Sequence, residues 1–576
     1  MTYKAPLKDF RYLISKVFDI SALSQTDRFA EATPDIFEAV LEEAAKLAEG
    51  VLAPLNRSGD EEGCVIRDGV VTTPKGFPEA YAQFAAGGWA GLALDPDHGG
   101  QGLPHTLHMM VDEMISTANI GFAMYRGLID GAFNTIRDFA SDDLKALWLP
   151  RLASGEVLPT MNLTEPHAGS DLGLLRTKAE PDDEGTYRIT GAKIFITGGE
   201  ADLTRNILHL VLARLPGAPE GSRGISLFLV PKYLEDGSRN AVSCSGIEHK
   251  MGLKSSATCS MNYDGARGWL VGAPHSGLKA MFRMMNAARL TTGMQGVCAA
   301  EGSHQIVSAY AAERRQGSAP GSSGPGPDPI DRHPDVQRML RTQKALVQGC
   351  RALALRAGLS LDLAHAASDV AEREAHAVRL QLLTPVVKAF TTDAGVEAAS
   401  LGIQIMGGHG YIREWGAEQW LRDIRVAPIY EGTNGIQALD LVGRKLPLSG
   451  GSVVRQFFAE VRADLTRAEA LLPEAALGLV ALDALEAATR ALSACDPLQT
   501  AEAATDYLVL FGLVALAREW AGMGALSLQS RADDPDFHDD KIATARFYLT
   551  RYLPRHLGHA QVIDFLALKV LSIAAA

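Results

Sequence analysis

The spacing of apolar residues changes along the chain, and the changes predict successive helical, β and helical regions. From about residue 33 to 153 apolar positions recur every three or four residues, and Thr33-Pro34-Asp35 is a typical helix start. From about 158 to 280 the chain carries short β-type runs between Gly, Asp and Pro turns. Helical spacing returns at Leu278 and continues to about 447.

Three further segments complete this division. Residues 1–30 are expected to form an irregular leader, and 316–329, rich in Gly, Pro and Ser, a flexible loop between two helices. Residues 452–576 are rich in Ala and Leu and predict a separate helical domain. The predicted domains are an N-terminal helical domain with its leader at 1–157, a middle β domain at 158–280, a helical domain at 281–448 and an extra helical domain at 449–576.

Composition narrows the class of protein. The 576 residues are 47% hydrophobic and 21% charged, as in ordinary globular proteins. The formal net charge of −13 argues against general nucleic-acid binding, which needs clustered Lys and Arg. The six cysteines show no CxxC spacing and indicate reduced thiols, with no metal or disulfide framework. Without a signal peptide or an apolar run of roughly 20 residues, we expect a cytoplasmic protein with no membrane span.

A short stretch near the end of the second helical region carries the main candidate for chemistry. It places Glu431 before Gly432, which permits a tight turn. Thr433 or Asn434 would cap the following helix, with Gln437 as a capping-box partner of Asn434. A carboxylate among apolar neighbours can have a pKa near about 6–7 and act as a general base. Spacing alone equally allows a capping turn whose Glu meets only solvent.

Two further stretches combine polar groups with room for a ligand. In 163–171, Thr164 and Ser170 offer hydroxyls and Gly169 allows close approach of a ligand to the backbone, although an ordinary polar turn would look similar. In 193–199, strand alternation predicts Phe195 and Thr197 on one face and the two neighbouring isoleucines on the other. A plain core strand is the alternative for this stretch.

These stretches resemble motifs of the acyl-CoA dehydrogenase family. Ile429-Tyr430-Glu431-Gly432-Thr433 is similar to the family's catalytic turn, and 163–171, 193–199 and 404–411 precede it in the family's order. The resemblance covers roughly 30–447. It implies an α+β fold with an N-terminal helical domain, a middle β-barrel-like domain and a C-terminal four-helix bundle. It also implies FAD as cofactor and an acyl-CoA substrate, from which Glu431 removes the α-proton while the flavin takes the β-hydride.

The resemblance also implies a set of binding residues. His167 and His409 are expected to be loop residues and not bases, and Ala288 occupies the position from which some family members supply the base. The implied FAD contacts are Leu163, Thr164, Gly169, Ser170, Phe195, Thr197, Arg314, Gln404, Gly408 and Thr433. The implied substrate contacts are Ser170, Arg289, Tyr430 and Gly432.

The length of the chain resembles a bacterial subgroup that includes 3-methylmercaptopropionyl-CoA dehydrogenases and some fatty acyl-CoA dehydrogenases. This implies one of those substrates, an electron-transfer flavoprotein as electron acceptor, and a homodimer in which the tail covers a surface that shorter members use to form tetramers. Two alternatives remain open. An acyl-CoA oxidase of related fold would use the same base with oxygen as acceptor, and a non-enzymatic relative would bind DNA, against which the acidic net charge argues.

Overall fold

The computed structural model describes residues 3–182, 184–324 and 326–568, and its elements follow the predicted order of helices, strands and helices. The N-terminal part contains one two-stranded hairpin among its helices. Its elements are α1 (Leu7–Tyr12), α2 (Ser21–Ser24), α3 (Pro34–Leu47), α4 (Pro54–Glu62), β1 (Val65–Arg67), β2 (Val70–Thr72), α5 (Phe77–Ala86), α6 (His105–Ala118), α7 (Ile120–Arg126), α8 (Ile129–Phe139) and α9 (Asp142–Ala153).

The prediction of an irregular leader is wrong for the described part of 1–30. This segment forms α1, a π-helical turn at Leu13–Val17 and α2, and the side chains of Phe10 and Leu13 are fully buried. Each helix is too short to show a periodic apolar pattern. The leader is ordered because distant helices bury it, which its own sequence does not reveal.

The middle region forms a closed β sheet. The strands pair in the order β4, β5, β9, β7 and β6. Because β6 also pairs with β4, the sheet closes as in a barrel. The two remaining strands lie outside this ring: β3 pairs with β6, and β8 pairs with β9. A separate hydrophobic core fills it. The strands are β3 (Val157–Asn162), β4 (Lys178–Pro181), β5 (Tyr187–Thr197), β6 (Asn206–Arg214), β7 (Ile225–Pro231), β8 (Val242–Ile247) and β9 (Thr258–Val271).

Three long helices dominate the next region, and small residues set their spacing. A Cβ added to Gly296 would lie 2.1 Å from the carbonyl oxygen of Thr391, so the first and third of these helices pack backbone to backbone. The loop at 314–329 is closed at its base by the Ile330 N–H, which donates to the Arg314 carbonyl at 2.7 Å. The helices are α10 (Gly277–Glu313), α11 (Pro334–Ala366), α12 (Val370–Met406), α13 (Ala417–Ile424) and α14 (Asn434–Asp440).

The C-terminal tail is helical, as predicted, and its core is continuous with that of the preceding bundle. Trp520 donates its indole N–H to the Ala345 carbonyl of α11 at 3.0 Å, and Gly512 packs directly on Phe390 of α12. The tail therefore covers the outer face of α11 and α12. Its helices are α15 (Ser452–Glu469), α16 (Ala476–Ser493), α17 (Pro497–Gln529), α18 (Pro535–Phe547) and α19 (His556–Ala567).

Among the described residues, α17 is the one helix whose length and composition would suit a membrane span. Its most apolar window has a mean hydropathy of 1.4, and 89% of that window is buried inside the protein. Burial by neighbouring helices explains the apolar composition, because a helix that is apolar all round needs cover on every side.

A buried ion network joins the leader, the bundle and the tail. Arg351 of α11 pairs with Asp9 of α1 at 2.5 Å, with Glu301 of α10 at 2.7 Å and with Glu113 of α6. Lys541 of α18 pairs with the second oxygen of Asp9. Three carboxylates share two cations, and burial raises the pKa of Glu113 to about 7. No sequence motif marks this network, because its paired members lie from 50 to 532 residues apart in the chain.

We expect Lys541→Met to destabilise the protein by about 3–5 kcal/mol, since it removes a buried cation and leaves an excess of buried negative charge. Scanning calorimetry should show a lower unfolding temperature. Lys46→Met removes an exposed Lys–Glu pair of α3 and should leave that temperature unchanged. Equal unfolding temperatures for the two variants would show that the network does not stabilise the fold.

Candidate active site

Glu431 lies in a strained turn between α13 and α14. Its φ is +56°, and the φ of Gly432 is +84°, so two successive residues adopt the left-handed conformation. This conformation suits Gly432 and is unfavourable for Glu431. The turn is closed by the Asn434 N–H, which donates to the Pro428 carbonyl at 2.9 Å. Strain of this kind persists only where surrounding contacts hold it.

Thr433 caps α14, which decides between the two predicted caps. Its hydroxyl accepts from the Ile436 N–H at 3.2 Å. The Asn434 alternative, with Gln437 as capping-box partner, is wrong. The Gln437 amide instead donates to the carbonyls of Glu431 at 3.3 Å and Gly432 at 3.2 Å, and so holds the turn from within.

The Glu431 carboxyl group lies in surroundings that favour its neutral form. Its Oε2 is buried and has no hydrogen-bond partner among the described residues. Burial raises the pKa of Glu431 to about 7, although the nearby charges of Arg289 and Lys388 act in the opposite direction. Glu431 as a whole residue is half-buried, so the burial applies to Oε2 and not to every atom of the residue. Thr433, and not Glu431, caps α14.

Arg289 contacts the main chain of the turn. This buried residue of α10 donates from Nε to the Glu431 carbonyl at 3.4 Å and from one terminal nitrogen to Asn286 at 3.2 Å. No ion pair joins its guanidinium to the Glu431 carboxylate among the described residues. Arg289 thus supports the turn and supplies positive charge nearby without an ion pair to the carboxylate oxygens in the described part of the chain.

Tyr430 is held by two residues that sequence reasoning missed. Its hydroxyl donates to Oε1 of buried Gln295, and the Gln295 Nε2 donates to the sulfur of Met124 at 3.3 Å. Gln295 lies on α10, six residues after Arg289. At about 100° per residue their side chains point about 120° apart, so the spacing from Arg289 does not indicate Gln295, and the sequence carried no local signal for it.

Helix α13 ties the turn to the β domain. Asp423 accepts from the Leu253 N–H at 2.6 Å, and Arg422 pairs with Asp60 of α4 at 2.6 Å and with Glu418 at 2.8 Å. These contacts fix the start of the turn from two sides. A helix anchored in this way gives the catalytic candidate a defined position, as a site on rigid elements requires.

The loop at 163–171 is fixed by a buried ion pair that was not predicted. Glu165 accepts from Lys193 of β5 at 2.8 Å and from the Thr177 hydroxyl at 2.6 Å. Lys193 also donates to the Leu163 carbonyl at 2.9 Å. A lysine within an otherwise apolar strand was the available signal, because a buried lysine needs an anionic partner.

The predicted ligand contacts of this loop differ in exposure. Leu163 is buried, Thr164 is half-buried, and Gly169 and Ser170 are exposed. His167 lies on the surface with its Nε2 3.1 Å from the Leu174 carbonyl, as expected of a loop residue. A cleft of about 660 Å³ opens beside this loop, lined by His167, Asp171, Gly173, Leu174, Arg176, Arg214, Ala218, Pro219, Glu220, Gly221 and Ser222.

Phe195 departs from the predicted strand alternation. The pairing of β5 with β9 shifts between Lys193 and Ile196, and Phe195 has a φ of +61° at this bulge. Its ring is 59% exposed, whereas Ile196 is buried and Thr197 half-buried. The simple two-residue period is therefore wrong here, because a bulge adds a residue to one strand.

Helix α7 brings the β5 end and the turn together. The Tyr125 hydroxyl accepts from the Ala257 N–H at 2.8 Å, and the Ala257 carbonyl accepts from the Gly198 N–H at 2.9 Å. Gly198 directly follows Thr197. The adjacent Met124 contacts the amide that holds Tyr430. The end of the predicted flavin strand and the turn thus converge on two successive residues of α7.

Arg314, Gln404 and Gly408 form a second, exposed group at the ends of α10 and α12. The Tyr310 hydroxyl lies 2.8 Å from His409, whose ring stacks on Trp415 at 4.4 Å, so His409 is a packed loop residue as expected. The described contacts do not join this group to the Glu431 turn within one chain. Its assignment to FAD stays a prediction.

Phe195, Thr197 and the loop at 163–171 form a group of residues that fits a flavin. Phe195 is exposed and its backbone conformation is strained. Its ring is apolar surface that a bound ring system would cover favourably. The Thr164 and Thr197 side chains and the exposed Gly169 backbone lie on the elements around it. A helical–β–helical fold, with a carboxyl oxygen that is buried and without a hydrogen-bond partner in the described part of the chain, is the arrangement expected from the resemblance to the acyl-CoA dehydrogenase family.

Comparison with known proteins supports this resemblance. Family models described as the N-terminal, middle and C-terminal domains of acyl-CoA dehydrogenase match residues 35–156, 160–266 and 275–446, and one described as "Acetyl-CoA dehydrogenase C-terminal like" matches 457–574. The chain is 41% identical to 3-methylmercaptopropionyl-CoA dehydrogenase of Ruegeria pomeroyi, covering 98% of both chains. It is 33% identical to a butyryl-CoA dehydrogenase of Syntrophomonas wolfei, covering 96% of both.

A solved structure shares the fold over almost the whole chain. The acyl-CoA dehydrogenase of Bacillus anthracis, crystallised with FAD, has a TM-score of 0.76 and 21% identity, covering 95% of this chain and 92% of that one. This chain belongs to the acyl-CoA dehydrogenase family. It is an FAD-dependent enzyme that dehydrogenates acyl-CoA thioesters.

We expect Phe195→Gly to change stability and cofactor binding in opposite directions. Glycine adopts a positive φ freely, so relief of about 1–2 kcal/mol of strain should raise the unfolding temperature of the apoprotein. Loss of the ring should weaken FAD binding, measured by quenching of flavin fluorescence. Phe195→Ala is the matched control, since it removes the ring and keeps the strain. Unaltered FAD affinity in both variants would remove Phe195 from the flavin site.

Proposed function

We propose that Glu431 is the general base that removes the α-proton of the acyl-CoA thioester. The observation that carries this role is its buried Oε2, which has no hydrogen-bond partner among the described residues, on a carboxyl whose pKa burial raises to about 7. At neutral pH a substantial fraction of such a carboxyl group is ionised, and the carboxylate is basic enough to accept a proton. Bound FAD supplies the acceptor for the hydride that leaves the β-carbon.

The turn also offers a donor for the substrate. The Glu431 N–H makes no hydrogen bond within the described residues, so it can donate to the thioester carbonyl. Such a bond would stabilise the negative charge that develops on that oxygen as the proton leaves. Tyr430, Gly432 and Ser170 would line the path of the thioester, and Arg289 would hold the turn against it. The open cleft lined by His167 and Asp171 of the same loop would take the nucleotide end of coenzyme A.

Glu431→Gln should bind FAD and acyl-CoA but reduce the flavin more slowly by a factor of at least about 10³, because the amide cannot take the proton. Anaerobic stopped-flow measurement of flavin bleaching gives this rate. Glu431→Asp is the control that keeps the acid and shortens its reach. A Gln variant that bleaches at the parent rate would contradict the role.

The pH dependence follows from the raised pKa. Parent activity should fall as pH drops through about 7, because protonation removes the base. A carboxyl whose folded pKa is raised binds its proton more tightly in the folded state, so its effect on stability is most favourable at low pH and is lost as pH rises through about 7. Glu431→Gln should therefore raise the unfolding temperature more at pH 8 than at pH 5.

For the substrate we propose 3-methylmercaptopropionyl-CoA or a fatty acyl-CoA. The Ruegeria pomeroyi relative supports the first and the Syntrophomonas wolfei relative the second. Steady-state assays across an acyl-CoA series separate them. A kcat/KM for the thioether substrate about tenfold or more above that for butyryl-CoA would assign the chain to the first, and the reverse ratio to the second.

For the electron acceptor we propose an electron-transfer flavoprotein. For the assembly we propose a homodimer, located in the cytoplasm. The tail covers the outer face of α11 and α12, and the exposed group of Arg314, Gln404 and Gly408 is available for an FAD held across two subunits. Light scattering that finds a tetramer would contradict the dimer. Peroxide formation under air that matches turnover would instead identify an oxidase.

A further inference from the structure

Lys388 of α12 makes a contact with the catalytic turn that the proposed mechanism has not used. Its side chain is completely buried. Its Nζ donates to the Gly432 carbonyl at 2.8 Å and to the Asn434 Oδ1 at 2.9 Å. No carboxylate lies within ion-pair distance of it among the described residues. A buried ammonium without a paired anion is costly, so its retention calls for an electrostatic partner close by.

Two carboxylates act on this ammonium: the charge of Glu431 favours it most, and that of Asp393 favours it less. Glu431 favours the charged form of Lys388, and Lys388 favours the charged form of Glu431. Burial lowers the pKa of Lys388 to about 8, which keeps the ammonium mostly charged at the pH where Glu431 titrates. Lys388 thus contacts the turn at the residue after Glu431, and its charge is complementary to that of the Glu431 carboxylate.

The contact is part of a wider grip of α12 on the turn. The Asn434 amide donates to the Ala389 carbonyl at 3.1 Å and to Asp393 at 2.8 Å. These residues follow Lys388 on α12, so one stretch of this helix holds the first residue of α14. Gly432 adopts the left-handed conformation without strain, and its carbonyl accepts from both Lys388 and Gln437. Lys388 supplies the only cationic donor to that carbonyl among the described residues.

We infer that Lys388 is a positioning residue for Glu431: its ammonium fixes the Gly432 carbonyl and the Asn434 side chain, and its charge favours the ionised carboxylate. This role rests on the proposed function of Glu431 as base. Other charged or titratable groups face Lys388 and Glu431 from each element that packs against the turn. They are Arg289 of α10, Asp393 of α12, Tyr430 and Arg425 of the segment before α14, and Asp440 and Arg444 at and after its end.

Two variants separate the charge of Lys388 from its hydrogen bonds. Lys388→Gln keeps a donor and loses the charge, whereas Lys388→Met loses both. Infrared titration of the Glu431 carboxyl, identified by its loss in Glu431→Gln, reads the proton affinity without turnover. We expect its midpoint to rise by about one pH unit in both variants. Flavin bleaching well above that midpoint should be near the parent rate for the Gln variant and at least about tenfold slower for the Met variant.

Lys344→Gln is the control, because it removes a lysine that pairs with Asp540 on the same helical bundle but away from the turn. Its carboxyl midpoint and bleaching rate should equal the parent values. An unshifted midpoint in Lys388→Gln overturns the inference, and that variant decides alone if Lys388→Met does not fold. If Glu431→Gln retains the parent bleaching rate, the base assignment fails first and the inference with it. If Glu431→Gln does not bleach the flavin and the carboxyl midpoint of Lys388→Gln equals that of the parent, only the role of Lys388 is rejected.

Discussion

The active site depends on a turn that the backbone alone would not adopt. Glu431 and Gly432 are both left-handed, and for Glu431 that conformation is unfavourable. Donors on three side chains offset this cost: Arg289 and Gln437 bond the Glu431 carbonyl, and Lys388 and Gln437 bond the Gly432 carbonyl. Hydrogen bonds from charged donors contribute about 1.5–3 kcal/mol each, enough to hold strain of about 1–3 kcal/mol. The turn therefore inherits its shape from α10, α12 and α14.

The same contacts set the chemistry of the carboxylate. Burial alone would push the pKa of Glu431 higher and leave it mostly protonated at neutral pH, where it could not act as a base. The two cations that hold the main chain lie close enough to oppose this effect. Because they bond the backbone carbonyls and not the carboxylate, they favour its charge without occupying its oxygens. The same residues thus control the conformation of the turn and the proton affinity of the Glu431 carboxylate.

Sequence reasoning predicted the features that have local patterns. The β-type runs between about 158 and 280, the start of α3 at Pro34 and a helix cap at Thr433 or Asn434 each depend on a few neighbouring residues; the structure contains the strands and the helix start, and of the two caps it has Thr433. It did not predict the helices of the leader, the bulge at Phe195 or the buried pairs of Glu165 and Arg351. Each of these arises from contacts between residues far apart in the chain, for which a single sequence provides no spacing rule.

The tail and the active site meet through α12. One face of this helix carries Lys388 and holds the turn, and another packs Phe390 against Gly512 of the tail. Successive helical residues point about 100° apart, so a helix can serve two surfaces within one turn of its backbone. Since close packing transmits small displacements, the tail limits how far α12 can shift beneath Lys388. A chain extension that supplies no residue to the Glu431 turn can in this way stabilise the geometry of that turn from the other side of the helix.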